Sequence, residues 1–101
     1  MISDNSVLMD LNKLVNEFPV ELYFYLELGL NMGVRRNQLE RMRNEDSRGI
    51  KSLTYHLLVM CYESNITFYE KLYRSMENMG YETKFLAFLE TSNGLKQLSI
   101  K

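Results

Sequence analysis

Histidine and cysteine occur once each in the chain, as His56 and Cys61. Acid–base catalysis needs a second titratable group poised against the first, and a zinc-type site needs three or four ligands at close spacing. A lone histidine with one cysteine supplies neither. On a helix through this stretch His56 falls just outside the apolar stripe and reads as a half-exposed surface residue. Cys61 falls on the stripe, where a thiol behaves as a small hydrophobe. A reactive thiolate would want exposure and positive charge beside it. Phosphate-cradling loops are missing too, because Gly29 and Gly33 stand alone with no lysine–serine or lysine–threonine after them. The expectation is a chain with no catalytic residue, no metal ligands, no cofactor and no small-molecule substrate.

The remaining polar chemistry is charge. Between residues 35 and 51 stand six basic residues (Arg35, Arg36, Arg41, Arg43, Arg48, Lys51) and three acidic ones (Glu40, Glu45, Asp46), a balance of +3. The whole chain carries −1, so the rest carries −4. No global field favours nucleic acid. A basic patch on an acidic remainder attracts copies of itself or a complementary partner, although a solvated charged loop is the plainer reading. The seven tyrosines lack a basic groove in which to stack on bases. Of the methionines, Met42, Met76 and Met79 read as core filler and Met60 as exposed.

The elements that hold these groups follow from apolar periodicity. Residues 53–90 read as three helices, each with one apolar face. The first carries Ile50, Leu53, Thr54, Leu57, Leu58, Cys61 and Tyr62. The second carries Phe68, Leu72, Met76 and Met79, with Tyr69 and Tyr73 flanking, and Gly80 stops it. The third starts near Glu82 and carries Phe85, Leu86, Phe88 and Leu89. Upstream, Ser3 or Asp4 is positioned to cap a helix bearing Val7, Leu8, Leu11, Leu14, Val15 and Phe18, which Pro19 ends. A second helix over about 20–28 is apolar on more than one side, as though sandwiched, with Gly29 at its end. A third over 35–43 turns Val34, Leu39 and Met42 inward and leaves the arginines outside. Ser47 is placed to cap the fourth helix, Asn65 or Thr67 the fifth, and Thr83 the sixth.

With 101 residues the chain suffices for one core and one domain. Hydrophobic residues make up 46% and charged residues 25%, proportions ordinary for a soluble globular protein. Strand signals and repeats are absent. Six helices over residues 1–90 and a frayed tail over 91–101 are expected, an all-α antiparallel bundle. No apolar run reaches the roughly 20 residues of a membrane span. The start lacks the features of a signal peptide, and one cysteine permits no internal disulfide, so the expected location is cytoplasmic.

Particular residues then narrow the choice. Leu28-Gly29-Leu30 stands at the end of the second helix, and Leu39 and Met42 lie three apart in the third. Leu58 and Cys61 hold the fourth helix, Leu72-Tyr73-Arg74-Ser75-Met76 precedes Gly80, and Leu89-Glu90 closes the sixth. In order and spacing these resemble the death domain of the death-fold superfamily over residues 7–90. Cys61 stands where that family usually has tryptophan, so other large groups (Phe24, Tyr25, Phe68 or Phe85) must fill the core. The death effector domain is the neighbouring alternative, but its Arg-x-Asp-Leu signature is replaced here by Gly80-Tyr81-Glu82-Thr83.

The resemblance implies a six-helix bundle of death-fold type. It also implies a non-enzymatic adaptor that binds other death-fold domains, itself included, in apoptotic or innate-immune signalling. On this reading Arg35, Arg36, Arg41, Arg43 and Arg48 form the positive side, with Arg35, Arg36 and Arg43 lying off the buried stripe. Asp10, Glu17 and Glu63 are the candidate acceptors. Tyr25, Tyr62 and Tyr69 read as core edges with hydroxyls in water. The runner-up reading is a small nucleic-acid-binding domain using residues 35–51.

Overall fold

The computed structural model describes residues 4–99. All its regular elements are helices: α1 (Asp4–Glu17), α2 (Leu22–Asn31), α3 (Arg36–Glu45), α4 (Ile50–Ser64), α5 (Phe68–Asn78), α6 (Glu82–Glu90) and α7 (Gly94–Ser99). No strand occurs among the described residues. The Cα radius of gyration, 12.7 Å, matches the value of about 13 Å for a single compact domain of this length.

Each helix turns most of its apolar stripe inward, although Leu86, expected on the apolar face of the sixth helix, is 43% exposed. Val7, Leu11, Leu14 and Val15 are buried from α1, and Leu53, Thr54, Leu57, Leu58 and Cys61 from α4. From α5 the buried residues are Phe68, Leu72, Ser75 and Met76, and from α6 Phe85, Phe88 and Leu89. Helix α1 lies against α4 and α7. Helix α2 packs on α3, α4 and α5, and α5 in turn on α6 and α7. Phe24, Tyr25, Phe68 and Phe85 are all buried, and Phe85 stacks on Phe88 with centroids 6.4 Å apart. Phe18 meets Phe88 and Tyr81 edge to face, the favoured geometry for aromatic quadrupoles.

Two helices end by the same device. Gly33 and Gly80 take φ of +90° and +84°. After α2, Gly33 N–H donates to the Leu30 carbonyl and Val34 N–H to that of Gly29. After α5, Gly80 N–H donates to Glu77 and Tyr81 N–H to Met76. Both are left-handed glycine caps that satisfy otherwise unpaired carbonyls.

Several expectations need correction. Gly29 does not end α2 but lies within it. A Cβ there would sit 2.3 Å from Leu39 Cδ2, so the glycine lets α3 approach α2 closely. Helix α2 is not enclosed either: Phe24, Tyr25 and Leu28 are buried, while Tyr23 is 74% exposed and Leu30 44%. Ser47 does not cap α4. Asp46 takes the Arg48 backbone N–H at 2.8 Å, and Gly49, with φ of +107°, turns the chain into the helix. Thr83 lies inside α6, behind Tyr81 at the N-cap position. Asn65 does accept from Thr67 N–H and Oγ at the start of α5. The Ser3 cap falls outside the described residues.

Within the expected frayed tail, Gly94–Ser99 instead form α7, and Leu95 from it is fully buried, while residues 100–101 lie outside the described residues. The six-helix count therefore becomes seven among the described residues. Its docking has two causes. The Asp10 carboxylate accepts the backbone N–H of Asn93 at 3.1 Å and of Leu95 at 2.9 Å. Gly94 packs against α1 so closely that a Cβ would lie 2.5 Å from Val7 N.

Candidate functional site

The chemistry-bearing side chains settle first. Cys61 is buried, and burial pushes its thiol pKa up, away from thiolate chemistry. His56 is exposed. Its Nδ1–H donates to the Ser52 carbonyl at 2.7 Å, which leaves Nε2 to accept from Arg48 Nη2 at 3.2 Å. That fixes the ring against α4. Among the described residues no three His, Cys, Asp or Glu side chains converge as a metal site. No helix among them is long and apolar enough to cross a membrane.

Helix α3 presents the basic face. It buries only Leu39, with Met42 half-buried, so Arg36, Arg41 and Arg43 are exposed on its remaining surface and Arg35 just before it. None of these four makes a salt bridge among the described residues, where the ion pairs are Lys13–Glu17, Arg48–Asp46 and Lys96–Glu90. Arg48 is thus partly engaged. Its backbone N–H, then its guanidinium, hold the Asp46 carboxyl below the ordinary carboxylate range. The helix is fixed from beneath by Tyr25, which is fully buried and donates its hydroxyl to the Leu39 carbonyl at 2.6 Å. Burial raises the Tyr25 pKa. A core-edge tyrosine with a wet hydroxyl is therefore the wrong description of this residue.

The expected acceptors divide. Asp10 is 5% exposed and spends its carboxylate on backbone N–H groups at the start of α7, which gives it a structural role. A buried carboxylate is stable there because amide donors replace water. Glu17 pairs with Lys13 one turn back, at 3.7 Å. Glu63 is exposed and makes no salt bridge among the described residues. It lines a groove with Asp4, Tyr62, Ile66 and Glu70, of which the sequence pattern marked only Glu63 as a partner contact. Tyr62 donates to Asp4 Oδ1, and burial, then that bond, pushes its pKa up to about 12. Met60 is half-buried and meets Gln38 Nε2 through its sulfur at 3.8 Å. Ile66, wholly exposed, carried no signal because a single apolar residue in a polar turn has no period.

Comparison with family models, curated proteins and solved structures finds no match for the chain.

Proposed function

We propose that this chain is a non-enzymatic interaction domain of the death-domain type. On this reading it assembles with other death-fold domains, copies of itself included, as an adaptor in the cytoplasm. The observation that carries the reading is the α3 face. Four arginines stand in solvent with no salt bridge among the described residues, on a short helix anchored by one buried leucine and a buried tyrosine hydroxyl. Unspent charge on a rigid element steers association and selects partners. The inward placement of Leu28, Leu39, Leu58, Cys61, Leu72, Met76 and Leu89 is consistent with the resemblance, although Leu30 of the Leu28-Gly29-Leu30 motif is 44% exposed and Met42 is half-buried.

The test is self-association by sedimentation velocity across protein and salt concentration. Association of the protein alone, weakening with salt and lost in Arg36→Glu/Arg43→Glu at unchanged helix content and Tm, is the expected result. A chain that remains monomeric until DNA or RNA is added would favour the nucleic-acid reading, because phosphate binding falls steeply with salt and needs the added polymer.

A further inference from the structure

Asp10 is buried and Glu17 pairs with Lys13, which leaves Glu63 as the expected acceptor with no salt bridge among the described residues. One surface fits in both charge and shape. Where α4 turns into α5, a groove of about 460 Å³ opens between that turn, the start of α1 and the end of α7. Asp4, Glu63 and Glu70 rim it, and no lysine or arginine among the described residues lines it. They do not converge as a cation site. Between them the lining is apolar and aromatic, from Tyr62, Ile66 and Leu98. Ile66 is 102% exposed, so its whole side chain is open to be covered.

The basic counterpart is at the other end of α4. Arg43 shares a hollow with Asp46, Gly49 and Ile50 at the helix N-terminus, where Asp46 is paired with Arg48, and Lys51 is exposed in the first turn of α4. A helix rises 1.5 Å per residue, so Lys51 and Glu63 are separated by about 18 Å along the axis. That is about twice the screening length at physiological salt, so the two ends barely feel each other within one molecule. Between molecules they can touch.

The geometry points to a head-to-tail contact in which the Arg43–Lys51 end of one copy docks on the Asp4–Glu63–Glu70 groove of the next and covers Ile66. It rests on the self-assembly reading above and extends that reading's Glu63 acceptor to a whole groove. The two surfaces differ, so the contact is heterologous. It propagates into a filament unless its rotation closes a ring.

Two charge-reversed variants test it, Glu63→Lys/Glu70→Lys for the groove and Arg43→Glu/Lys51→Glu for the basic end. All four positions are exposed, and circular dichroism checks each fold. Each variant alone should associate at least about tenfold more weakly than the parent, the scale expected when several rim charge pairs become repulsive. An equimolar mixture should regain association, because each variant supplies the surface the other lacks. Restoration also excludes misfolding as the cause of the loss. Association abolished at the basic end but unchanged by the groove variant would overturn the proposal and leave the self-assembly reading standing. The groove would then serve another partner or none. A parent chain that stays monomeric at every salt concentration would overturn both.

Discussion

Removing the Asp10 carboxylate should undock the C-terminal helix. In the folded chain this group is 5% exposed and accepts the N–H groups of Asn93 and Leu95 across 83 and 85 residues of sequence. Asp10→Ala orphans the buried Leu95 N–H, whereas the N–H of exposed Asn93 can regain water. A charge-assisted hydrogen bond contributes about 1.5–3 kcal/mol, so the buried bond with a smaller share from the second puts the loss of stability at about 2–4 kcal/mol. In a domain of this size that lowers Tm by roughly 10–20 °C. Because total stability is typically about 5–15 kcal/mol, the bundle should survive the change. Gly94→Ala attacks the same joint from the other side. Its Cβ would meet the Val7 backbone at 2.5 Å, where no rotamer change can make room. Urea unfolding gives the magnitude, and hydrogen exchange at the Leu95 amide locates it: protected in the parent, fast in both variants. Asp10→Ala within about 0.5 kcal/mol of the parent, or an unprotected Leu95 amide in the parent, would refute the account.

Gly29→Ala should lower stability by about 1–2 kcal/mol in urea unfolding, since overpacking against fully buried Leu39 outweighs the helix propensity gained. In a Leu39→Ala background the same change should become neutral or stabilising, which a double-mutant cycle reads directly. Gly80→Ala should cost about 1 kcal/mol, because the φ of +84° that closes α5 penalises a Cβ. At alkaline pH, Tyr62 should contribute stability that is intact below its ordinary value of 10.0 and is lost as pH rises through about 12. Tyr62→Phe should flatten that part of the pH–stability curve and remove the latest step of a tyrosinate titration.

How much of this was legible in the sequence depended on the range of each interaction. The stripes from Val7 to Leu89 are local and periodic, so the first six helices and nearly every core residue could be read directly. Gly80 was legible for the same reason, as a glycine directly after an apolar run. Gly29 was not, because its role is set by Leu39, whose contact exists only once two helices have met. Helix α7 has six residues and little periodicity, and what holds it is a carboxylate more than eighty positions away. From sequence, Asp10 looks like any polar-face residue of an amphipathic helix. The arginine face was visible as a local run of charge. The groove was not, since its rim combines the start of α1, the α4–α5 turn and the end of α7.

Helix α7 is also where fold and proposed interface meet. Leu98 lines the groove while Asp10 fixes the other end of the same helix, so the proposed acceptor surface depends on a buried residue. Two ways of weakening assembly then become separable. Glu63→Lys changes the interface charge, so it should reduce the salt sensitivity of association while the Leu95 amide stays protected. Asp10→Ala changes only how often α7 is in place. It should lower affinity in proportion to the fraction of molecules with α7 docked and keep the parent's salt sensitivity. If Asp10→Ala instead altered salt dependence at full Leu95 protection, Asp10 would be a direct acceptor after all, and the buried geometry described here would not be that of the associating molecule.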